Sequence, residues 1–354
     1  MNPPPLRIGV VSPLFESVPP KFYGGTERIV SYLTEELVEQ GHEVTLFASG
    51  DSQTSANLRP MSTRGLRMDP ECRDPLSHHI SMLDKVAKEA EEFDVIHFNI
   101  DYLHFPLVRH LGLRGVTTLH GRLDIPDLVP LFDQFNDHPL ISISESQRRP
   151  LAQACWAATV YHGVPENLYS PGNGRGGYAA FLGRICPEKR PDRAIRIARR
   201  AGIPLKIAAK VDKADERYFD EQIRPMLSSP GVEYVGEISE REKNKFLGDA
   251  VALLFPIDWP EPFGLVMVEA MACGTPVVAW RCGSVPEIIL DGESGYIVDN
   301  EDDAVKAVER AAAHPRLRCR DAFEQRFTSS HMAASYVKVF RRLAKRQLRP
   351  VIVA

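Results

Sequence analysis

The chain has no apolar run able to cross a bilayer. Its longest, such as Val251–Phe255, fall far short of the ~18–20 residues a spanning helix requires. Cysteine is scarce, six in 354 residues, and no two form a Cys-x-x-Cys pair. That points to reduced, mostly buried thiols in a cytoplasmic protein. Surplus positive charge is missing too. With 43 Lys and Arg against 47 Asp and Glu, the net charge of −4 leaves no global field for reading nucleic-acid phosphates. No Gly-x-Gly-x-x-Gly follows the first expected strand, so the dinucleotide fingerprint of nicotinamide enzymes is absent. His78-His79, and His97 with His104, lack ligand spacing, and no metal centre is expected. Low-complexity tracts and short-period repeats are not seen. Met1–Pro5 carries prolines where an export signal would carry a basic residue and then an apolar core, so no export is expected.

What is present is an ordinary globular composition, 44% apolar and 25% charged, at a length that predicts two domains. Strand and helix patterns alternate. Leu6–Ser12 reads as a buried parallel strand. Gly24-Gly25-Thr26 opens an amphipathic helix to about Gln40, with Ile29, Val30, Leu33, Leu37 and Val38 on one face and Gly41 as its stop. Strands follow at Glu43–Ala48, Val95–Phe98, Val116–Leu119, Leu140–Ser144 and Ala158–Tyr161, with helices between them, as at Leu83–Glu92. Glu166–Gly177 is rich in Gly, Pro and Asn and reads as an interdomain linker. The alternation then restarts. Strands are expected at Tyr178–Leu182, Leu205–Ala209, Val232–Val235, Val251–Pro256 and Pro276–Trp280. Helices are expected at Asp192–Ala201, Ala214–Leu227, Glu240–Leu247, Gly264–Ala272 and near Asp302–Ala313. The expectation is an α/β fold of two Rossmann-like, doubly wound domains, residues 1–165 and 178–326. A helix within 327–354 would cross back to the first. The tail Phe340–Arg349 carries five basic residues and no acid. A solvated helix end and peripheral contact with an anionic inner membrane face both fit it.

The densest chemistry lies in Glu261-Pro-Phe-Gly-Leu-Val-Met-Val-Glu269. A strand ends before it, Phe263-Gly264 opens a helix, and Gly274-Thr275-Pro276 ends that helix. Bare amides at a helix N-terminus bind phosphate, and glycine lets the phosphate come close. Glu261 stands ahead of the helix and Glu269 roughly 1.5 turns into it, so the two can meet different parts of one ligand. Two carboxylates flanking a diphosphate suit a sugar on one side and a ribose on the other. Plainer readings stay open: Glu261 as a charge favoured by the helix dipole, and Glu269 as a surface residue.

Here the sequence resembles the retaining, GT-B-fold glycosyltransferases of family 4, the glycosyl transferases group 1, over nearly its full length. Glu261 and Glu269 match that family's Glu-x7-Glu signature, and Gly183-Arg184-Ile-Cys-Pro-Glu-Lys189 resembles its Gly-Arg-x4-Lys phosphate clamp. In the first half, Tyr23-Gly24-Gly25-Thr26-Glu27-Arg28 resembles its glycine-rich loop and Thr118-Leu119-His120-Gly121 its strand-end histidine segment. Ser142-Ile-Ser144-Glu145-Ser-Gln147 resembles its serine segment before a helix. Tyr161-His162-Gly163-Val164-Pro165 resembles its Asn-Gly-Val-Asp turn, with His in place of Asn and Pro in place of Asp.

The resemblance implies roles. Arg184 and Lys189 would neutralise a donor diphosphate, and the Gly264 and Leu265 amides beside Phe263 would bind the same phosphates. Glu269 would hold ribose hydroxyls and Glu261 those of the transferred hexose. Gly24 and Gly25 would let the first-domain loop approach the donor, and His120 would touch the sugar near the reacting carbon. The implied donor is a nucleotide-diphosphate sugar, with UDP expected from its frequency in the family and a hydroxyl-rich hexose such as glucose, as in UDP-glucose, suited to Glu261. The acceptor would be a small molecule, a saccharide or a lipid-linked hydroxyl, with no cofactor and no metal. A nucleotide-sugar epimerase and a non-enzymatic sugar-binding protein stand as alternatives.

Overall fold

The computed structural model describes residues 3–21 and 24–345. They divide into two compact units: the described residues up to Gly163 together with those from Ser329 onward, and Val164–Thr328. The first unit runs β1 (Arg7–Val11), α1 (Gly25–Glu39), β2 (Glu43–Ala48), β3 (Asn57–Pro60), α2 (Pro75–Lys88), β4 (Val95–Phe98), α3 (Phe105–Leu111), β5 (Gly115–Thr118), α4 (Leu128–Gln134), β6 (Leu140–Ser142), α5 (Glu145–Arg148) and β7 (Trp156–Thr159). Its strands form one parallel sheet in the order β3-β2-β1-β4-β5-β6-β7. Ile8, Val10 and Val11 of β1 are fully buried, as a central strand covered on both faces requires. Helix α1 stops where Gly41 takes φ +84°, and the His42 N–H closes back on the Leu37 carbonyl at 3.1 Å. The edge strand β3 had no signal in the sequence, because Asn-Leu-Arg-Pro is short and only half apolar.

The second unit runs β8 (Ala179–Arg184), α6 (Pro191–Arg200), β9 (Leu205–Lys210), α7 (Glu216–Tyr218), α8 (Arg224–Leu227), β10 (Val232–Gly236), α9 (Glu240–Gly248), β11 (Ala252–Phe255), α10 (Leu265–Ala272), β12 (Val277–Trp280), α11 (Val285–Ile288), β13 (Gly295–Val298), α12 (Glu301–Ala311) and α13 (Arg316–Arg326). Its parallel sheet has the order β10-β9-β8-β11-β12-β13, around a core that includes Ile195, Ile207, Leu254 and Val278. The helix expected over Ala214–Leu227 is interrupted: a π-helical stretch, Phe219–Ile223, separates α7 from α8. Pro225, in the first turn of α8, has no N–H to continue the earlier ladder. Strand β13 and helices α11 and α13 went unanticipated.

The expected linker is corrected by the structure. Residues 166–177 belong to the second unit and are packed against it. Gly172, Gly174 and Gly176 donate their N–H groups to Cys273, Gly248 and Asp249 carbonyls at 2.9–3.0 Å. A Cβ on Gly172 would lie 2.2 Å from the Gly248 oxygen, so this glycine serves close backbone approach rather than looseness. The Arg316 guanidinium binds the carbonyls of Gly172, Gly248 and Ala250 at 2.9–3.0 Å.

The chain then returns to the first unit as α14 (Ser329–Ala344), which buries Met332, Tyr336 and Phe340. Ser329 Oγ donates to Glu36 Oε2 of α1 at 2.8 Å, and the Tyr336 hydroxyl lies 3.0 Å from Thr118 Oγ1. Of the basic tail, Arg341 and Arg342 donate to the carbonyls of Pro4 and Ala157 at 3.0 and 3.3 Å. The positions past 345, Arg346 and Arg349 among them, lie outside the described residues. In each unit the strand order reverses beside the first strand, between β1 and β4 and between β8 and β11. Doubly wound sheets bind ligands at that crevice.

Candidate active site

The loops leaving β8 and β11 flank the switch point of the second unit, and they carry the clustered chemistry. Arg184 ends β8. Its Nη2 reaches Glu188 Oε1 at 2.9 Å and its Nη1 reaches Asp212 Oδ2 at 3.3 Å. Lys189 follows on a short turn, Pro187–Lys189, and its ammonium meets Glu261 Oε2. The same ammonium sits 5.1 and 5.6 Å from the ring centres of Trp259 and Phe255. The two cations expected to clamp a diphosphate therefore pair with carboxylates. Cys186, within the same segment, is pushed up to about 12 by burial and stays a thiol.

After β11 the backbone turns through Glu261 to Gly264. Gly264 takes φ +77°, and a Cβ there would meet Met267 Cε at 2.7 Å and the Phe255 ring at 3.1 Å. Only glycine fits where α10 begins. The first amides of α10, from Leu265, lack intrahelical partners, as at any helix start. Phe263, expected among the donor-binding residues, is 2% exposed and its ring lies edge-on to Phe327. Glu261 and Glu269 are both buried. Glu269 Oε1 accepts from Lys243 Nζ at 2.7 Å and from the Tyr169 hydroxyl at 3.4 Å. Trp259 Nε1 donates to Glu261 Oε2 at 3.0 Å.

A turn that the sequence pattern did not single out clamps this loop from β12. Ser284 N–H donates to the Glu261 carbonyl at 3.0 Å, and Ser284 Oγ donates to the Phe263 carbonyl at 2.8 Å. Gly283 has φ +56°, and a Cβ on it would lie 2.3 Å from the Glu261 nitrogen. The signal was available as Gly-Ser-Val-Pro after a strand, a turn pattern with no chemistry of its own.

The first unit holds a separate set. Gly24 is the N-cap of α1 in extended conformation and Gly25 its first residue; Tyr23 lies outside the described residues. A Cβ on Gly24 would stand 2.8 Å from Pro20 Cβ, whereas Gly25 faces open space. His120 leaves β5. Asn99 Nδ2 donates to the Val11 carbonyl at 3.3 Å, which turns Asn99 Oδ1 toward His120 Nε2 at 2.9 Å. This network assigns the Nε2–H tautomer and leaves Nδ1 a bare acceptor. That Nδ1 is buried with no partner among the described residues. Burial pushes His120 down to about 4, so the ring is neutral at pH 7. The His162 ring stacks on it with centroids 5.3 Å apart.

The serine segment proves to be a brace. Ser144 Oγ caps α5 by accepting from Gln147 N–H at 3.0 Å. Gln147 Nε2 then donates to the Leu119 and Gly121 carbonyls at 2.8 Å, one on each side of His120. No group of three or more His, Cys, Asp or Glu side chains able to hold a metal ion occurs among the described residues.

Comparison with known proteins identifies the family. The model for Glycosyltransferase Family 4 matches residues 23–164, and that for Glycosyl transferases group 1 matches residues 171–326. The chain is 27% identical to the phosphatidyl-myo-inositol mannosyltransferase of Propionibacterium freudenreichii, over 88% of this chain and 87% of that one. It is 32% identical to the D-inositol 3-phosphate glycosyltransferase of Mycolicibacterium smegmatis, over 54% of this chain and 49% of the other. The matched stretch thus spans about half the length of some curated relatives, 45% of one and 49% of another. Among solved structures, Anabaena Alr3699/HepE in complex with UDP and glucose superposes with TM-score 0.74 at 18% identity, covering 95% of this chain and all 100% of that one. Its likeness shows the fold. With both halves matched by the family's own models, the chain belongs to the family 4 glycosyltransferases of group 1.

Proposed function

We propose that this chain is a retaining hexosyltransferase that takes a sugar from a nucleotide-diphosphate donor, UDP-glucose first, and passes it to an acceptor hydroxyl without a divalent metal. The pair Glu261 and Glu269 carries this reading: two buried carboxylates stand on either side of the α10 N-terminus, with Lys189 paired to Glu261 and Arg184 at the end of β8 in the segment that leads to Lys189. The amides of α10 and the two cations would receive the diphosphate. Glu269 would hold ribose and Glu261 the hexose. His120, neutral with a bare Nδ1, would accept a hydrogen bond from a sugar hydroxyl. As the glycosidic bond breaks, charge grows on the leaving phosphate, where fixed donors act best. That phosphate would take the acceptor hydroxyl's proton on the face it leaves. The Anabaena complex with UDP and glucose supports the choice of donor. The relatives' names make inositol phosphate and phosphatidyl-myo-inositol the first acceptors to try. No described helix is long and apolar enough to cross a membrane.

The test is incubation with radiolabelled UDP-, GDP- and ADP-sugars. Transfer or slow hydrolysis of a UDP-hexose is expected. Isomerisation of the sugar would favour an epimerase instead, and binding without turnover a receptor. Turnover in EDTA is expected to match that in added Mg²⁺, because the sequence has no Asp-x-Asp and Arg184 and Lys189 supply cationic charge. Activity lost in EDTA and restored by Mg²⁺ or Mn²⁺ would count against protein-only neutralisation.

A further inference from the structure

Both signature carboxylates are held in the same way. Glu261 accepts two bonds on Oε2, from the Lys189 ammonium and from the Trp259 indole at 3.0 Å. Glu269 accepts two bonds on Oε1, from the Lys243 ammonium at 2.7 Å and from the Tyr169 hydroxyl at 3.4 Å. In each case the other oxygen, Glu261 Oε1 or Glu269 Oε2, has no partner among the described residues. We propose that Trp259 with Lys189, and Tyr169 with Lys243, are matched positioning pairs that occupy one oxygen of each carboxylate and present the other to the ligand. This rests on the donor reading above.

The division of labour follows from the side chains. A lysine is a point charge on a flexible stem and cannot by itself set the plane of a carboxylate. An indole N–H or a phenol O–H on a rigid ring can. The lysine lowers the cost of burying the charge, and the aromatic donor sets its direction. Trp259 is itself fixed, since its carbonyl accepts from the Glu261 N–H at 2.8 Å and from the Cys282 thiol at 2.9 Å. The single phenol proton of Tyr169 is shared between Glu240, the nearer acceptor, and Glu269, and Lys243 reaches Glu240 Oε2 at 3.3 Å. The second pair is thus anchored to α9. Its capping box of Ser239 and Glu242 sets the helix start. Because the two pairs serve different carboxylates, they should affect different steps.

The variants are Trp259→Phe, which keeps a ring over Lys189 but removes the indole N–H, and Tyr169→Phe and Lys243→Met on the other side. UDP affinity is read by calorimetry and kcat by hydrolysis of saturating UDP-glucose. Trp259→Phe is expected to lower kcat about fivefold or more and leave UDP affinity within about twofold. Lys243→Met is expected to weaken UDP about fivefold or more while kcat holds within about twofold, with Tyr169→Phe moving the same way by less. Variants that leave both quantities unchanged, or that exchange the two effects, would overturn the assignment. The indole ¹⁵N–H signal of Trp259, identified by its loss in Trp259→Phe, gives a ligand-free check. It should shift in Glu261→Gln, and an unmoved signal would overturn the first pair. If the parent chain bound neither UDP nor UDP-glucose, the donor reading would fail, and the indole signal would still decide whether Trp259 orients Glu261.

Discussion

Glu261→Gln is expected to lower kcat by at least about tenfold while barely changing affinity for the free nucleotide diphosphate. Glu269→Ala is expected to do the reverse, weakening both nucleotide diphosphate and full donor by roughly 10- to 100-fold, since a hydrogen bond to a charged group is worth about 1.5–3 kcal/mol. The two carboxylates share a helix start, a lysine partner each and near-complete burial, so their chemistry is alike. Their proposed substrates are not. A contact to ribose is the same before and during reaction, and its loss is felt in binding. A contact to the hexose strengthens as positive charge grows on the sugar, and its loss is felt in rate. Calorimetry with UDP, paired with steady-state kinetics on both variants, separates them. The melting temperature of each variant controls for Lys189 or Lys243 being left without its carboxylate. If Glu261→Gln weakened UDP as much as Glu269→Ala with kcat unchanged, the sugar-side role would be wrong.

The second large effect is expected on acidification. His97, His104, His120, His138 and His162 all lie in the first unit, and burial pushes all five down, His97 and His138 to about 3 and His120 to about 4. Three of them have neutral hydroxyl partners. Thr117 Oγ1 lies between His104 Nε2 at 2.6 Å and His138 Nε2 at 2.8 Å, and His97 Nε2 lies 2.7 Å from Thr118 Oγ1. Their folded values sit below the unfolded value of about 6.5. The stability they contribute is complete above that pH and is lost as pH falls, because only the unfolded chain takes up the protons. At pH 5.5 each costs roughly 1 kcal/mol, on the order of 5 kcal/mol together, against a total near 5–15 kcal/mol for a domain. Glu27 and Asp101, pushed up by burial, oppose the trend with two groups against five. The second unit contains a single histidine, His314. Scanning calorimetry at pH 7.5 and 5.5 should therefore show one transition falling steeply and the other moving little. Two transitions with the same pH dependence would contradict this.

Much of the fold was legible because its signals are local. The 3.6-residue period of α1, its start at Gly24-Gly25 and its stop at Gly41 are properties of adjacent residues, and so are the buried runs of β1, β4 and β11. The Glu-x7-Glu pattern across the start of α10 is local too, which is why the family resemblance marks both candidate carboxylates. The elements missed were those whose sequence carries no period, such as β3 and β13, formed by pairing at a sheet edge. The mistaken linker has the same origin. Glycine marks a flexible joint and a close backbone contact with the same letter, and only the neighbour at Gly248 shows which one Gly172 serves.

By itself, then, the sequence determined the alternation of strands and helices, the two-unit plan, and which two glutamates and which strand-end histidine to examine. The tertiary structure decided what each of them touches. Lys189 meets Glu261 across 72 positions, Lys243 meets Glu269 across 26, and Tyr169 meets Glu269 across 100. Gln147 reaches back 28 positions to brace His120, and Asn99, 21 positions before it, sets which nitrogen bears its proton. A carboxylate's direction and a histidine's tautomer depend on partners that only the crossing of parallel strands brings within 3 Å or so, and no spacing along the chain encodes that distance.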